Sequence, residues 1–251
     1  MPRNEYRPLG MPQYAGSSFR PPGGPTGYDK LVASLGPSGW WKLADAVGST
    51  TAADSSGNGY TGTVNGGVTF GEAGHPWWAL GYTGALFDGS TGDITIATPA
   101  ALLALFQDHD FTVTGWANPT SSFGQQAIFG LGQSITAGEG FGLFLNSGYW
   151  HATGAYQDIQ DPTAATLSVW QQATATFVAS TGLMTLYVNG GEVVSGSFAS
   201  GVNVPTTTTT AYIGQGAWFP AWFDGDLAEV AVFDFALTAA QISQLYEKAT
   251  T

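Results

Sequence analysis

Residues 212–251 read YIGQGAWFPAWFDGDLAEVAVFDFALTAAQISQLYEKATT, and they set out a strand, an aromatic loop, a second strand and a helix in that order. Between Asp226 and Asp234 the side chains alternate, so Ala228, Val230 and Val232 are expected on one face of a half-buried strand. Thr238 and Gln241 have the spacing of a capping box, and Leu237 and Ile242 stand where a hydrophobic staple would place them. A helix is therefore expected to start near Ala239. Ile242 and Leu245 give it an apolar stripe for docking, and Lys248 complements the negative end of its dipole.

Upstream, other stretches carry strand and turn signals. Trp40 to Ala44 reads as a strand and Asp54 to Gly59 as a tight turn in which Asp54 accepts backbone N–H bonds. Ala85 to Asp88 and Asp93 to Ala97 read as strands around Asp88 to Gly92, and Pro99 to Phe106 as a short helix. Phe111 to Ala117, Gln126 to Leu131, Gly140 to Asn146 and Trp170 to Ala179 follow as strands, with Ala173, Ala175 and Phe177 on one face of the last. Leu183 to Val188 then runs into Asn189-Gly190, the strongest short hairpin signal, and returns as Glu192 to Ser195. Many strands spaced by turns, with one terminal helix, predict an all-β, two-sheet antiparallel jelly-roll sandwich.

The YIG strand, the DG turn, EVAVF and LTAAQI resemble the closing segment of laminin-G-like modules of the concanavalin A-like lectin/glucanase superfamily. From Tyr28, the stretches WWKLAD, ADSSGNGYTGT and GGVTFGEAG resemble the opening of laminin-G-like domains found in bacteriophage structural proteins and some bacterial surface proteins. The resemblance runs from Tyr28 to Ala249, which makes residues 28–251 the domain and residues 1–27 a separate arm. It implies a recognition platform more often than an enzyme.

The arm has six prolines, three arginines and no helix or strand periodicity, so it reads as extended. Its apolar and basic residues, Arg3, Tyr6, Arg7, Met11, Tyr14, Phe19 and Arg20, exceed what a spacer needs and are the expected partner-binding set. A tail ordering on a neighbouring subunit and a disordered tail both fit that composition. The chain has 251 residues and net charge −12; residues 1–30 hold four basic and two acidic groups, so the remainder carries −14. An acidic body repels phosphate backbones and argues against nucleic acid. No stretch is long and apolar enough to span a membrane, and the first ten residues lack the apolar core of a signal peptide. A virion component made in the host cytoplasm reconciles that with a family that usually works outside cells; a fragment of a secreted protein also does.

Enzymatic chemistry finds little support in these residues. Glycoside hydrolysis needs paired carboxyls, and the Glu-x-Asp-x-x-Glu type pattern of the superfamily's hydrolases is absent; Asp226 and Glu229, three apart, are expected to face opposite ways. His75, His109 and His151 show no spacing with a nucleophile, and there is no cysteine for disulfides or thiolate metal sites. Calcium is the one cofactor these residues suggest, through Asp88 and Asp93 with Asp224 or Asp54, but two turn aspartates do not make a site and turn capping explains them better. Two aromatic clusters remain: Trp77, Trp78 and Tyr82 in HPWWALGY, and Trp218, Phe219 and Trp222 in AWFPAWF. They are the expected ligand-binding residues. Stacking on sugar rings, docking on a protein and burial between the sheets are the three readings open to them. The expected function is a non-enzymatic virion structural protein, a capsid decoration or minor tail protein anchored by its arm and displaying a lectin-like domain towards host-surface glycan. A carbohydrate-binding module of a bacterial surface or secreted protein, and a glycan hydrolase, are the alternatives.

Overall fold

Among the described residues, apolar alternation between glycine-rich turns builds sixteen strands and three helices in the computed structural model of the protein. It describes residues 27–74, 82–97, 100–107, 109–134, 139–154, 157–198, 201–202, 204, 210–217 and 221–250. The first elements are α1 (Gly27–Leu35), β1 (Gly39–Trp41), β2 (Thr51–Ala52), β3 (Gly62–Asn65), β4 (Val68–Ala73), β5 (Thr83–Asp88), β6 (Asp93–Ala97) and α2 (Ala100–Ala104). Next come β7 (Phe111–Pro119), β8 (Gln125–Ser134), β9 (Glu139–Asn146), β10 (Tyr149–Gly154), β11 (Gln157–Ala164) and β12 (Gln171–Val178). The chain closes with β13 (Leu183–Val188), β14 (Gly191–Ser197), β15 (Thr210–Ile213), β16 (Asp224–Phe233) and α3 (Ala239–Thr250).

These strands form two antiparallel sheets. One runs β14-β13-β12-β7-β16-β5-β4, with β1 added beside β16, and the other runs β11-β10-β9-β8-β15-β6-β3-β2. Between them lies a core in which Phe106, Phe111, Phe129, Phe141 and Phe177 meet ring to ring at centroid distances of 4.8 to 6.0 Å. Trp41, Trp150 and Phe87 complete its buried aromatic layer. The β16 sheet also has a second apolar face. Helices α1 and α3 cover it, packing Tyr28, Val32, Ile242 and Leu245 against Trp40, Trp116, Ala228 and Phe233. Each such side chain contributes roughly 1.5–3 kcal/mol by leaving water.

Local signals are realised where neighbours agree with them. Ala173, Ala175 and Phe177 share the core face of β12. Asn189 and Gly190 take φ of 52° and 79°, as a type I′ hairpin turn requires. Asp54 accepts from the backbone N–H of Trp40, Ser56 and Tyr60 at 3.0, 2.8 and 2.9 Å. The capping box closes both ways: Thr238 N donates to Gln241 Oε1 at 2.9 Å and Gln241 N to Thr238 Oγ1 at 3.3 Å.

Three expectations need correction. Ala228 does not share a face with Val230 and Val232. Leu227, Val230 and Val232 point into the core between the sheets, while Ala228, Ala231 and Phe233 face the helices. A β-bulge between Ala228 and Ala231, with Glu229 at φ 55°, inserts one extra residue and resets the alternation. Asp226 and Glu229 consequently lie on the same, helix-facing side. The strand expected through Ala44 ends at Trp41, before Leu43 at φ 60°. Besides the terminal helix and α2, which realises the short helix expected between Pro99 and Phe106, the chain forms a helix that was not expected, α1.

One side chain joins the sheet to the start of α3. Thr112, fully buried, donates through Oγ1 to the Phe235 carbonyl at 2.8 Å and accepts from Leu237 N at 2.8 Å. Thr112→Val keeps the shape and orphans both partners, so it should lower stability by about 1–3 kcal/mol. Urea unfolding should show a lower midpoint at unchanged m-value.

Candidate functional site

Of the expected ligand-binding residues, Tyr82 and Trp222 are described; Trp77, Trp78, Trp218 and Phe219 lie outside the described residues, as does the whole set Arg3, Tyr6, Arg7, Met11, Tyr14, Phe19 and Arg20. The structure separates Tyr82 from Trp222. Tyr82 precedes β5, whereas Trp222 precedes β16, whose first residue Asp224 pairs with Asp88 at the far end of β5. Six strand residues between them span about 20 Å. The Tyr82 hydroxyl donates to the Asp29 carboxylate beneath α1, and half-buried Trp222 stands at a loop end of the sandwich.

That loop end is tied together by polar bonds. Ser147 N donates to the Gly124 carbonyl, Ala165 N to Gly148 and Ser168 N to Pro119, at 2.9, 2.8 and 2.8 Å. Gln126 joins two loops: its Nε2 donates to the carbonyls of Ser121 and Phe123 at 2.8 and 3.3 Å, while its Oε1 accepts from Asp224 N at 3.0 Å. Thr120 Oγ1 donates to Asp224 Oδ1 at 2.8 Å. Against this frame the Phe123 side chain projects 90% exposed, with Leu167 and Val169 at 38% and 48% in the next loop. Nothing in the sequence around Phe123 distinguishes it from the buried rings, because its exposure is set by how the loops pack. Behind them, the Gly130 backbone approaches the 215–217 segment so closely that a Cβ would sit 2.9 Å from Gln215 O and Ala217 N.

Asp88 is committed to its own turn. It accepts from the N–H of Ser90, Thr91 and Gly92 at 3.0, 2.8 and 2.9 Å and from the hydroxyls of Ser90 and Thr91. Desolvation pushes this carboxyl up, but the bonds from Thr91, Ser90 and Gly92 outweigh it and hold it well below the usual carboxylate range. Asp93 is raised by desolvation, opposed by the Asn65 amide at 2.8 Å. Among the described residues no three His, Cys, Asp or Glu side chains gather as a metal site. His151 Nδ1 sits 2.7 Å from Asp158 Oδ2 and its ring stacks on Phe144 at 5.2 Å.

A second polar cluster lies on the helix side, and sequence reasoning missed it. Glu229, 1% exposed, accepts from Trp40 Nε1 at 2.6 Å through Oε2. Asp29, 5% exposed, pairs with Lys42 Nζ at 2.8 Å, and that ammonium also lies 4.4 Å from the centroid of Trp40. Burial, and then the Asp29 charge, push the Glu229 carboxyl up to about 8 against the opposing pull of the Trp40 bond and Lys42. Two carboxyls in proximity suggest glycoside hydrolysis, but that reaction needs room for a sugar between them, and α1 covers this pair.

A laminin-G family model, described as the concanavalin A-like lectin/glucanases superfamily, matches residues 88–243. Among solved structures, domain 4 of an extracellular GH43 arabinanase from Geobacillus stearothermophilus, in complex with arabinotriose, is similar at TM-score 0.61 and 17% identity. The match covers 84% of this chain and 98% of that one. The binding domain of botulinum neurotoxin DC in complex with rat synaptotagmin II is similar at TM-score 0.59 and 14% identity, over 86% of this chain and 52% of that one. Botulinum neurotoxin type C, which depends upon interaction with two ganglioside molecules to enter cells, gives TM-score 0.63 and 14% identity over 88% and 53%. The chain thus spans about half the length of the toxin chains. At these identities the likeness is one of fold. A search of curated protein sequences finds no match.

The Asp88 turn predicts an acid-sensitive corner. A carboxyl held low contributes stability that is full above the ordinary carboxylate value of about 4 and is lost as pH falls towards its folded value. Thermal stability should therefore drop more steeply below pH 4 in the parent protein than in Asp88→Asn, which calorimetry across pH 2–6 measures.

Proposed function

Because the chain belongs to the concanavalin A-like lectin/glucanases superfamily, we propose that it is a non-enzymatic glycan-binding module whose contact surface is the loop end around Phe123. The 90% exposed Phe123 ring carries this reading. A bare ring on a frame fixed by Gln126 and Thr120 offers an apolar platform for a sugar face. Leu167 and Val169, exposed in the loop that Ser168 N ties to the Pro119 carbonyl, add apolar surface at the same end of the sandwich. A similar domain in complex with arabinotriose matches 84% of this chain over 98% of its own length, which supports an oligosaccharide as the ligand class. The carboxyls weigh against catalysis: Asp88 is consumed by its turn, Asp224 accepts from Thr120, and Asp29 and Glu229 are covered.

The finer reading is a virion structural protein, a capsid decoration or minor tail component, whose residues 1–27 attach the module to the particle. Two observations support it: the resemblance of the opening segment to phage-borne domains, and an arm of net positive charge on an acidic body. Host-surface glycan would then be the ligand presented to the module, and the host cytoplasm its place of synthesis.

Two experiments follow. On a glycan array that includes arabino-oligosaccharides, the full chain should bind, and Phe123→Ala should weaken binding about tenfold, near 1.4 kcal/mol, without lowering the melting temperature. An array without signal, or equal binding by the variant, would remove the glycan reading. Deleting residues 1–27 should leave a soluble folded domain that no longer co-sediments with particles; undiminished incorporation would reject the anchoring role.

A further inference from the structure

Three exposed apolar side chains stand at one end of the sandwich: Phe123 between β7 and β8, and Leu167 and Val169 between β11 and β12. They stand on two loops but on one frame. The hairpin turn between β9 and β10 joins those loops, because Ser147 N donates to the Gly124 carbonyl and Ala165 N to Gly148, while Ser168 N closes the circuit on Pro119. Their spacing is therefore fixed before any partner arrives.

Charge divides this end of the molecule in two. The stretches that hold these three junctions, residues 111–138 and 162–191, contain no acidic or basic residue, and residues 140–157 contain only His151. The other half of the same end, formed by β5, β6 and β16, carries Asp88, Asp93 and Asp224, in a chain of net charge −12. The uncharged half can enter a layer of lipid headgroups without desolvating an ion of its own, whereas the acidic remainder is repelled by an anionic surface. Area decides against a protein occupant. A stable interface buries about 800 Å² on each partner, and a phenylalanine, the largest of the three side chains, offers about 150–250 Å². Two copies of an acidic chain also repel each other. A lipid surface asks for neither a matched shape nor that area, and binding to it grows with the apolar surface inserted.

We propose that this uncharged half of the loop end is a membrane-docking tip, which enters the headgroup region of a zwitterionic bilayer with Phe123, Leu167 and Val169. The inference deepens the glycan reading by naming the surface on which a sugar is met, and it rests on that reading only in using the same loop end. Docking of this kind is apolar, so it survives high salt. Anionic lipid opposes it through the Asp88, Asp93 and Asp224 side, and salt screens that opposition.

Flotation of the full chain with phosphatidylcholine vesicles tests the tip. The parent should float with them at low and at high salt, and Phe123→Ser, or Leu167→Ser together with Val169→Ser, should each weaken partitioning about tenfold. Replacing part of the lipid by phosphatidylglycerol should reduce binding at low salt and leave it unchanged at high salt. Because the chain has no cysteine, one label reports one position. An environment-sensitive dye on Leu167→Cys should shift to the blue when vesicles are added. The same dye on Leu183→Cys should not, since Leu183 is 40% exposed but pairs with Val178, at the end of β12 away from Gln171 and the loop frame. Absence of flotation, equal flotation of parent and variants, or equal dye shifts in the two labelled chains would overturn the proposal. So would a dimer that forms without lipid and is lost in Phe123→Ser, which makes a second copy the occupant. A silent glycan array with flotation intact removes the glycan reading and leaves docking standing; an array signal without flotation does the reverse.

Discussion

The β16 sheet has two apolar faces, and a sheet of that kind must be covered twice. One face is met by the second sheet and the other by α1 and α3, so β16, β7 and β12 are buried along almost their full length. Antiparallel sheets more commonly leave one face in water. Double coverage explains why β16 carries Leu227, Val230 and Val232 on one side and Ala228, Ala231 and Phe233 on the other. It also explains the small residue at 228: the Trp170 ring lies over neighbouring Gly84, where a Cβ would be 3.3 Å from that ring and 3.5 Å from the Ala228 methyl.

Burial on both faces turns a polar residue in β16 into a structural problem. Glu229 meets it through Trp40, from the strand paired with the second half of β16, and Lys42, just after that strand. The cluster consequently couples the N-terminal helix, the first strand and the last strand, segments far apart in the chain.

The loop end has the opposite character. Its carboxylates are used up by backbone N–H groups and hydroxyls, its loops are cross-linked by Gln126 and Thr120, and what it offers to solvent is the apolar surface of Phe123, Leu167 and Val169. A rigid frame presenting a bare ring is suited to recognition more than to proton transfer, and binding residues on such folds reside on loops held by a scaffold.

Residues acting on near neighbours were legible in the sequence: the Asn189-Gly190 turn, the Thr238–Gln241 box, the Asp54 turn and the alternation of Ala173, Ala175 and Phe177 depend on a few adjacent φ/ψ and side-chain choices. So was the two-sheet class, because period-two patterning and turn spacing are properties of the chain itself. Strands β10 and β11 were not, since Trp150, Ala152 and Ile159 take their core positions from pairing with β9 rather than from a strong local pattern. The bulge at Glu229 was hidden for a related reason: two residues opposing one is a relation between strands, and EVAVF alternates without it. Likewise the parting of Tyr82 from Trp222, the burial of Glu229 beside Asp29 and the exposure of Phe123 follow from which strands pair and which loops meet. Sequence by itself determined the fold class and its turns and caps, where the deciding contacts span a few residues. Only the tertiary structure decided which carboxyls are buried and which ring is bare, because burial is a property of the assembled neighbours.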